Sequence, residues 1–382
     1  MKNAGSVPCG FLTVRVLLVT VPSIPHVDIE SLEHFDRIVA AGATSMEGWR
    51  VQSVDLSART AELLGLDPMG SLFLGSALEE KAEEWIRDGG GLIFPTIPSL
   101  PFDSYRGTLY DADELYAGLE NGYRAPPDAQ IYAWSRQHGE KGDTSRTLAA
   151  ALHDHAIADA LAELPDDKPW IGVMGGHGVP RGSTSYRAAV LLGRTLARAG
   201  QTVVTGGGPG AMEAANLGAS LSAYDDSAVD TALSELAVVP SFRPSVAAWA
   251  AAGLGVRREF PGDGGVSIPT WFYGHEPPNV FASSIAKYFS NAQREDVLLS
   301  RARGGIIYLP GAAGTVQEIF QAATPNYYGD PATQVRLILV GLQHWSVDLP
   351  VWPLLQSLAS ERSMAGFVHL VDSIDEAAAL VG

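Results

Sequence analysis

Three glycine-rich stretches in the second half of the chain have the composition of ligand-binding turns. They are Gly175-Gly176-His177-Gly178, Gly206-Gly207-Gly208-Pro209-Gly210 and Gly311-Ala312-Ala313-Gly314-Thr315. Each follows a short apolar run and precedes a stretch with helical periodicity. Glycine lets the backbone turn sharply and approach a ligand, and the first turn of a following helix offers unpaired N–H groups to an anion. A tight strand-to-helix turn explains any one of them. The three together point to a site for a nucleotide or a sugar phosphate. Thr315 and Glu318 stand three apart on the first turn after the third loop and share a face. Thr315 offers a hydroxyl to a phosphate. Glu318 is either a carboxylate facing the ligand or an acid that suits a helix N-terminus. Arg294, on the preceding helix, reads by itself as a solvated residue that pairs with Glu295 or Asp296. His177 reads as a hydrogen bonder within its loop.

Other chemistries are excluded or disfavoured. The second loop lacks the last glycine of a G-x-G-x-x-G fingerprint, where Glu213 stands instead. Asp225 and Asp226 lie at the right distance for a ribose-binding acid, but no strand precedes them, which argues against an NAD-type site. None of the loops carries the G-K-[ST] of a P-loop. The histidines show no metal-binding spacing, and the single cysteine, Cys9, rules out a Cys-based zinc site and an internal disulfide. No metal and no cofactor are expected. The formal charge of −17 opposes binding to nucleic acid, although a small anion can still find a locally positive site. The lone cysteine suggests the reducing cytoplasm. Phe11 to Val21 is apolar but interrupted by Arg15, too short for a membrane span and poorly formed as a signal peptide, so a strand is predicted there.

These residues need a scaffold. A length of 382 residues with 46% hydrophobic content suffices for one large domain or two ordinary ones. No internal repeat stands out. The polar, proline-flanked joint Pro165 to Pro169 divides an N-terminal α/β region, 1–165, from a C-terminal domain, 166–382. In the first part, strands are predicted at Leu72 to Leu74 and Leu92 to Phe94, with a helix over Ala77 to Arg87 between them. Pro95 to Tyr132 reads as an irregular loop with short helices, and Thr144 to Leu164 as a helix. In the second part, strands alternate with helices. The strands are "WIGVM", "QTVV", "GGVSIPTW", "GGIIYL", "QVRLILV" and "FVHLV". One long helix is predicted to open after Pro277-Pro278 and run through "NVFASSIAKYFSNAQREDVLLSRA". This alternation predicts a doubly wound parallel sheet of Rossmann-like α/β type, with ligands at the carboxyl ends of the strands.

The motifs "TGGGPGAMEAANLGA", "SNAQRED" and "PGAAGTVQE" resemble the LOG (Lonely Guy) family of nucleoside 5′-monophosphate phosphoribohydrolases, often mislabelled lysine decarboxylases. The resemblance covers roughly residues 168–382. It implies hydrolysis of the N-glycosidic bond of an AMP-like nucleotide, with Arg294 and Glu318 in the catalytic positions. It further implies phosphate or substrate contacts from Gly311, Ala312, Ala313, Gly314 and Thr315, and from Gly206, Gly207, Gly208, Pro209, Gly210 and Met212. Gly175, Gly176 and His177 match the first glycine motif. Trp271, Tyr273 and Asn291 are candidates for reading the base. A homo-oligomer is a further implication. Two departures stand out: Ala312 replaces the second glycine of the signature, and Glu295 replaces the lysine that usually follows the arginine. The same fold hosts non-catalytic carriers of nucleotide-like anions, such as molybdenum-cofactor carriers, which is the alternative reading. A pyridoxal-phosphate decarboxylase would need a Schiff-base lysine near a loop, and Lys287 is predicted mid-helix and away from all of them.

Overall fold

The computed structural model describes residues 26–137, 143–273 and 276–381. The strand predicted at Phe11 to Val21, and Cys9, lie outside them. The chain divides into two compact units, Met1–Phe94 and Pro95–Gly382.

The first unit is a four-stranded parallel sheet in sequential order. Its strands are β1 (Val27–Ile29), β2 (Trp49–Gln52), β3 (Leu72–Leu74) and β4 (Leu92–Phe94), and its helices α1 (Leu32–Ala40), α2 (Thr60–Leu64) and α3 (Glu80–Asp88) fill the connections. Ile29, Val51, Phe73 and Ile93 stand in register across the sheet, at intervals of 22, 22 and 20 residues. This is a short repeat, and it corrects the expectation of none. Each strand steps the same way with a helical return, so every coil buries its apolar side on its neighbour. The slots repeat while the residues filling them differ, which hides the period. Phe35, Leu63 and Ile86, one from each helix, are buried with Ile29, Val51 and Phe73.

The second unit is built on a seven-stranded, wholly parallel sheet, as predicted for a Rossmann-like fold. Its strands are β5 (Trp170–Met174), β6 (Thr202–Thr205), β7 (Val266–Ser267), β8 (Ser284–Ile285), β9 (Gly305–Tyr308), β10 (Leu337–Val340) and β11 (Val368–Val371). The spatial order is β11-β10-β9-β5-β6-β7-β8. From β5 the chain moves outward on one side, then returns to place β9 on the other. The β5/β9 boundary is therefore the switch point, where crevices open at strand ends. β5 and β9 are buried throughout, which explains their continuous apolar runs.

Three findings differ from the expected organisation. First, residues 95–165 belong to the second unit. The helices α4 (Ala112–Leu115), α5 (Pro127–Arg136) and α6 (Thr144–Ala162) send Leu115, Ile131, Ile157 and Leu161 into the same core as β5 and β9. A buried ion pair reinforces this, with Lys287 Nζ 2.6 Å from Asp128 Oδ1. Burial pulls the Lys287 ammonium below its usual range, against the opposing pull of Asp128. Second, the long helix after Pro277-Pro278 is not formed. Its first half is extended and includes β8, so Lys287 is not helical, and only α11 (Asn291–Arg301) is helix. Val280 to Ala282 and Ile285 to Tyr288 are buried. A buried apolar run has no exposed face to reveal its period. The Asn279 side chain also accepts from the N–H groups of Phe281 and Ala282, holding a turn. Third, two helices occupy the stretch the sequence reading left unassigned, α9 (Asp226–Ala237) and α10 (Val246–Glu259). Asp225 is the N-cap of α9, accepting from Ala228 N at 3.0 Å, and this accounts for the aspartates that resembled a ribose binder.

Candidate active site

The first and third glycine loops leave the carboxyl ends of adjacent strands. The first joins β5 to α7 (Thr184–Arg198), and the third joins β9 to α12 (Ala313–Tyr328). They are tied together where Gly176 N donates to Pro310 O at 3.1 Å. Between them lies a cavity of about 710 Å³, within the range of small-molecule sites. Its wall includes Gly175 to Val179, Gly311 to Thr315, Met212, Tyr273, Glu276, Arg294, Glu295 and Glu318.

The third loop is the part best suited to an anion. α12 has no side-chain cap, so its first N–H groups are not taken up by a capping side chain. The dipole of a long helix adds to their attraction for negative charge. Thr315 is buried at the base of this turn. Ala312 has φ −126°, outside the positive-φ region that favours glycine. Gly311 is different, because a Cβ on it would collide with the Thr315 hydroxyl. Gly311→Ala is expected to displace Thr315 and weaken phosphate binding about 10-fold or more, measured as Kd for a phosphorylated ligand, and to lower the melting temperature as well.

Glu318 lies one turn deeper, on the same side as Thr315 and also in the wall. Arg294 reaches it from α11, Nη1 to Oε1 at 3.7 Å, and contacts Glu295 Oε1 more closely, at 2.6 Å. All three side chains are buried. Burial pushes the Glu318 carboxyl up to about 8; Arg294 opposes this and the Glu295 charge adds to it.

Arg294 is held by the backbone. Nε donates to Ile268 O at 2.7 Å and Nη2 to Gly206 O at 3.0 Å. The second glycine loop is thus a buried brace for the guanidinium. Gly206, Gly207, Gly208, Pro209 and Gly210 are all buried and are absent from the cavity wall. Gly210, at φ +75°, also packs against Gly176 O, where a side chain would clash. Met212, which follows this loop, does reach the wall.

A deeper support lies behind α11. Asp154 of α6 accepts from Phe289 N and Ser290 N, both at 2.8 Å, and Ser290 caps α11. Sequence reasoning missed Asp154, since a single acid in a helix carries no signal of a partner 135 residues on. His177 is an exposed loop residue with Nδ1 3.4 Å from Glu276 Oε1. Asn291 donates to Tyr273 OH at 3.0 Å, so it touches the cavity through Tyr273. Trp271 is buried away from the wall, its Nε1 donating to Asp128. Among the described residues no cluster of His, Cys, Asp and Glu suits a metal ion, and no helix is long and apolar enough to cross a membrane.

A Rossmann-like α/β unit with a glycine-loop pocket at its switch point defines the class of protein. Residues 168–223 match the model of the SLOG cluster4 family. This stretch holds β5, β6 and the first two glycine loops. A search of curated proteins finds no match. Similar solved structures include the molybdenum cofactor binding protein of the phototrophic bacterium Rippkaea orientalis. It is 19% identical with a TM-score of 0.34, over 56% of this chain and 96% of that one. The molybdenum cofactor carrier protein of Chlamydomonas reinhardtii is 18% identical with a TM-score of 0.35, over 56% and 94%.

Proposed function

We propose that the pocket binds a nucleoside 5′-monophosphate and hydrolyses its N-glycosidic bond, releasing the base and ribose 5-phosphate. The observation that carries this reading is the convergence of Glu318 and Arg294 on a cavity floored by the uncapped start of α12. The 5′-phosphate lies on the Gly311 to Thr315 turn, and its binding energy positions the sugar. A helix rises about 1.5 Å per residue, so Glu318 stands about 4.5 Å beyond Thr315, beside the ribose. Glu318 in its carboxylate form takes a proton from the attacking water as the new C–O bond forms at the anomeric carbon. The C–N bond breaks, the electron pair leaves with the base, and the proton is passed to the base nitrogen. The oxocarbenium-like sugar is stabilised by the nearby carboxylates. Burial makes Glu318 a stronger base than an exposed glutamate. Arg294 has Nε and Nη2 committed to carbonyls, so its part is to fix and charge-balance Glu318.

Adenine release from AMP is the test, with wild type compared against Arg294→Ala and Glu318→Gln. Equal turnover in all three overturns the catalytic assignment. Nucleotide binding without base release makes the protein a carrier instead. Residence in the reducing cytoplasm and assembly into a homo-oligomer belong to the same reading, the latter checked by light scattering.

A further inference from the structure

Glu295 does more than pair with Arg294. Its Oε1 takes the guanidinium at 2.6 Å, while Oε2 is buried with no hydrogen-bond partner among the described residues. The side chain is 3% exposed and lies in the cavity wall. A buried carboxylate oxygen without a donor costs free energy, and a bound ligand that brings one removes that cost. An anion brought to the same place meets repulsion in a poorly screened site. We propose that Glu295 reads the sugar, its Oε2 accepting a hydrogen bond from the ribose 2-hydroxyl, which makes the pocket selective for ribo- over 2-deoxyribo-phosphates.

The placement follows from the site. Glu295 and Glu318 flank one guanidinium nitrogen, and Glu318 lies about one helical turn beyond the phosphate turn. One methylene separates a 5′-phosphate from its sugar ring, so the ring hydroxyls come to this pair of carboxyls. The inference rests on the phosphorylated-sugar reading of the pocket but needs no turnover.

The probes are ribose 5-phosphate and 2-deoxyribose 5-phosphate, titrated by calorimetry into the full-length wild type, Glu295→Gln and Glu295→Met. A hydrogen bond to a charged group corresponds to roughly 10–100-fold, and wild type is expected to prefer ribose 5-phosphate by that factor. The preference shrinks in Glu295→Gln, whose amide accepts more weakly, and vanishes in Glu295→Met. Equal binding of the two sugars by wild type overturns the proposal without any variant having to fold. So does a preference that survives in Glu295→Gln and Glu295→Met. Adenine release from AMP is measured alongside. Its absence with sugar selectivity intact refutes only the hydrolase, and its presence without selectivity refutes only the role of Glu295.

Discussion

Glu318→Gln is expected to lower adenine release from AMP by roughly 10²–10⁴-fold while leaving nucleotide binding within a few-fold of wild type. Glutamine keeps the shape and the contact with Arg294 but cannot take a proton from water. Wild-type turnover should rise with pH through about 8, as the carboxyl loses its proton. The limb should move to lower pH in Glu295→Gln, which removes a like charge beside it. Stability runs the opposite way. Below about 4.5 the group is protonated both folded and unfolded. Above that value the unfolded chain releases the proton while the folded protein keeps it, so this group's contribution falls until about pH 8 and is then level. A melting-temperature series across that window should show a decline in wild type that is smaller in Glu318→Gln. A decline of equal size in both would remove Glu318 as its source.

Arg294→Ala should be the most damaging single change in the pocket. It leaves Glu295 and Glu318 buried beside each other with no counter-charge and frees the carbonyls of Gly206 and Ile268. Removing one partner of a buried pair costs about 3–5 kcal/mol. For a unit of this size that is a loss of roughly 5–8 °C in melting temperature. Adding Glu295→Gln to Arg294→Ala should recover part of the melting temperature and none of the turnover. Arg294→Lys should not rescue, because an ammonium cannot reproduce the planar fork that reaches two carbonyls and a carboxylate. Calorimetry and the adenine assay together separate these outcomes, and a stable, active Arg294→Ala would end the assignment.

Much of this was legible in the chain because the site follows local chemistry. Strands β5, β6, β9 and β10 are apolar runs closed by glycine, and the loops after β5 and β9 line the cavity. The second loop was misjudged, since a glycine run reads the same whether it faces a ligand or grips an arginine. The extended stretch before α11 was hidden by burial on both faces. The boundary was hidden because a proline-rich joint marks a turn in the chain without revealing what packs across it. Repeats in the first unit were obscured by short strands whose slots accept isoleucine, valine or phenylalanine alike.

The contact between Lys287 and Asp128 bears on how this protein can be shortened. A truncation beginning at residue 166 looks natural from composition, yet it removes Asp128 and strands a lone ammonium in the hydrocarbon interior. It also strips Asp154 from the start of α11. Such a fragment should express as insoluble material, whereas one starting at Pro95 retains both Asp128 and Asp154.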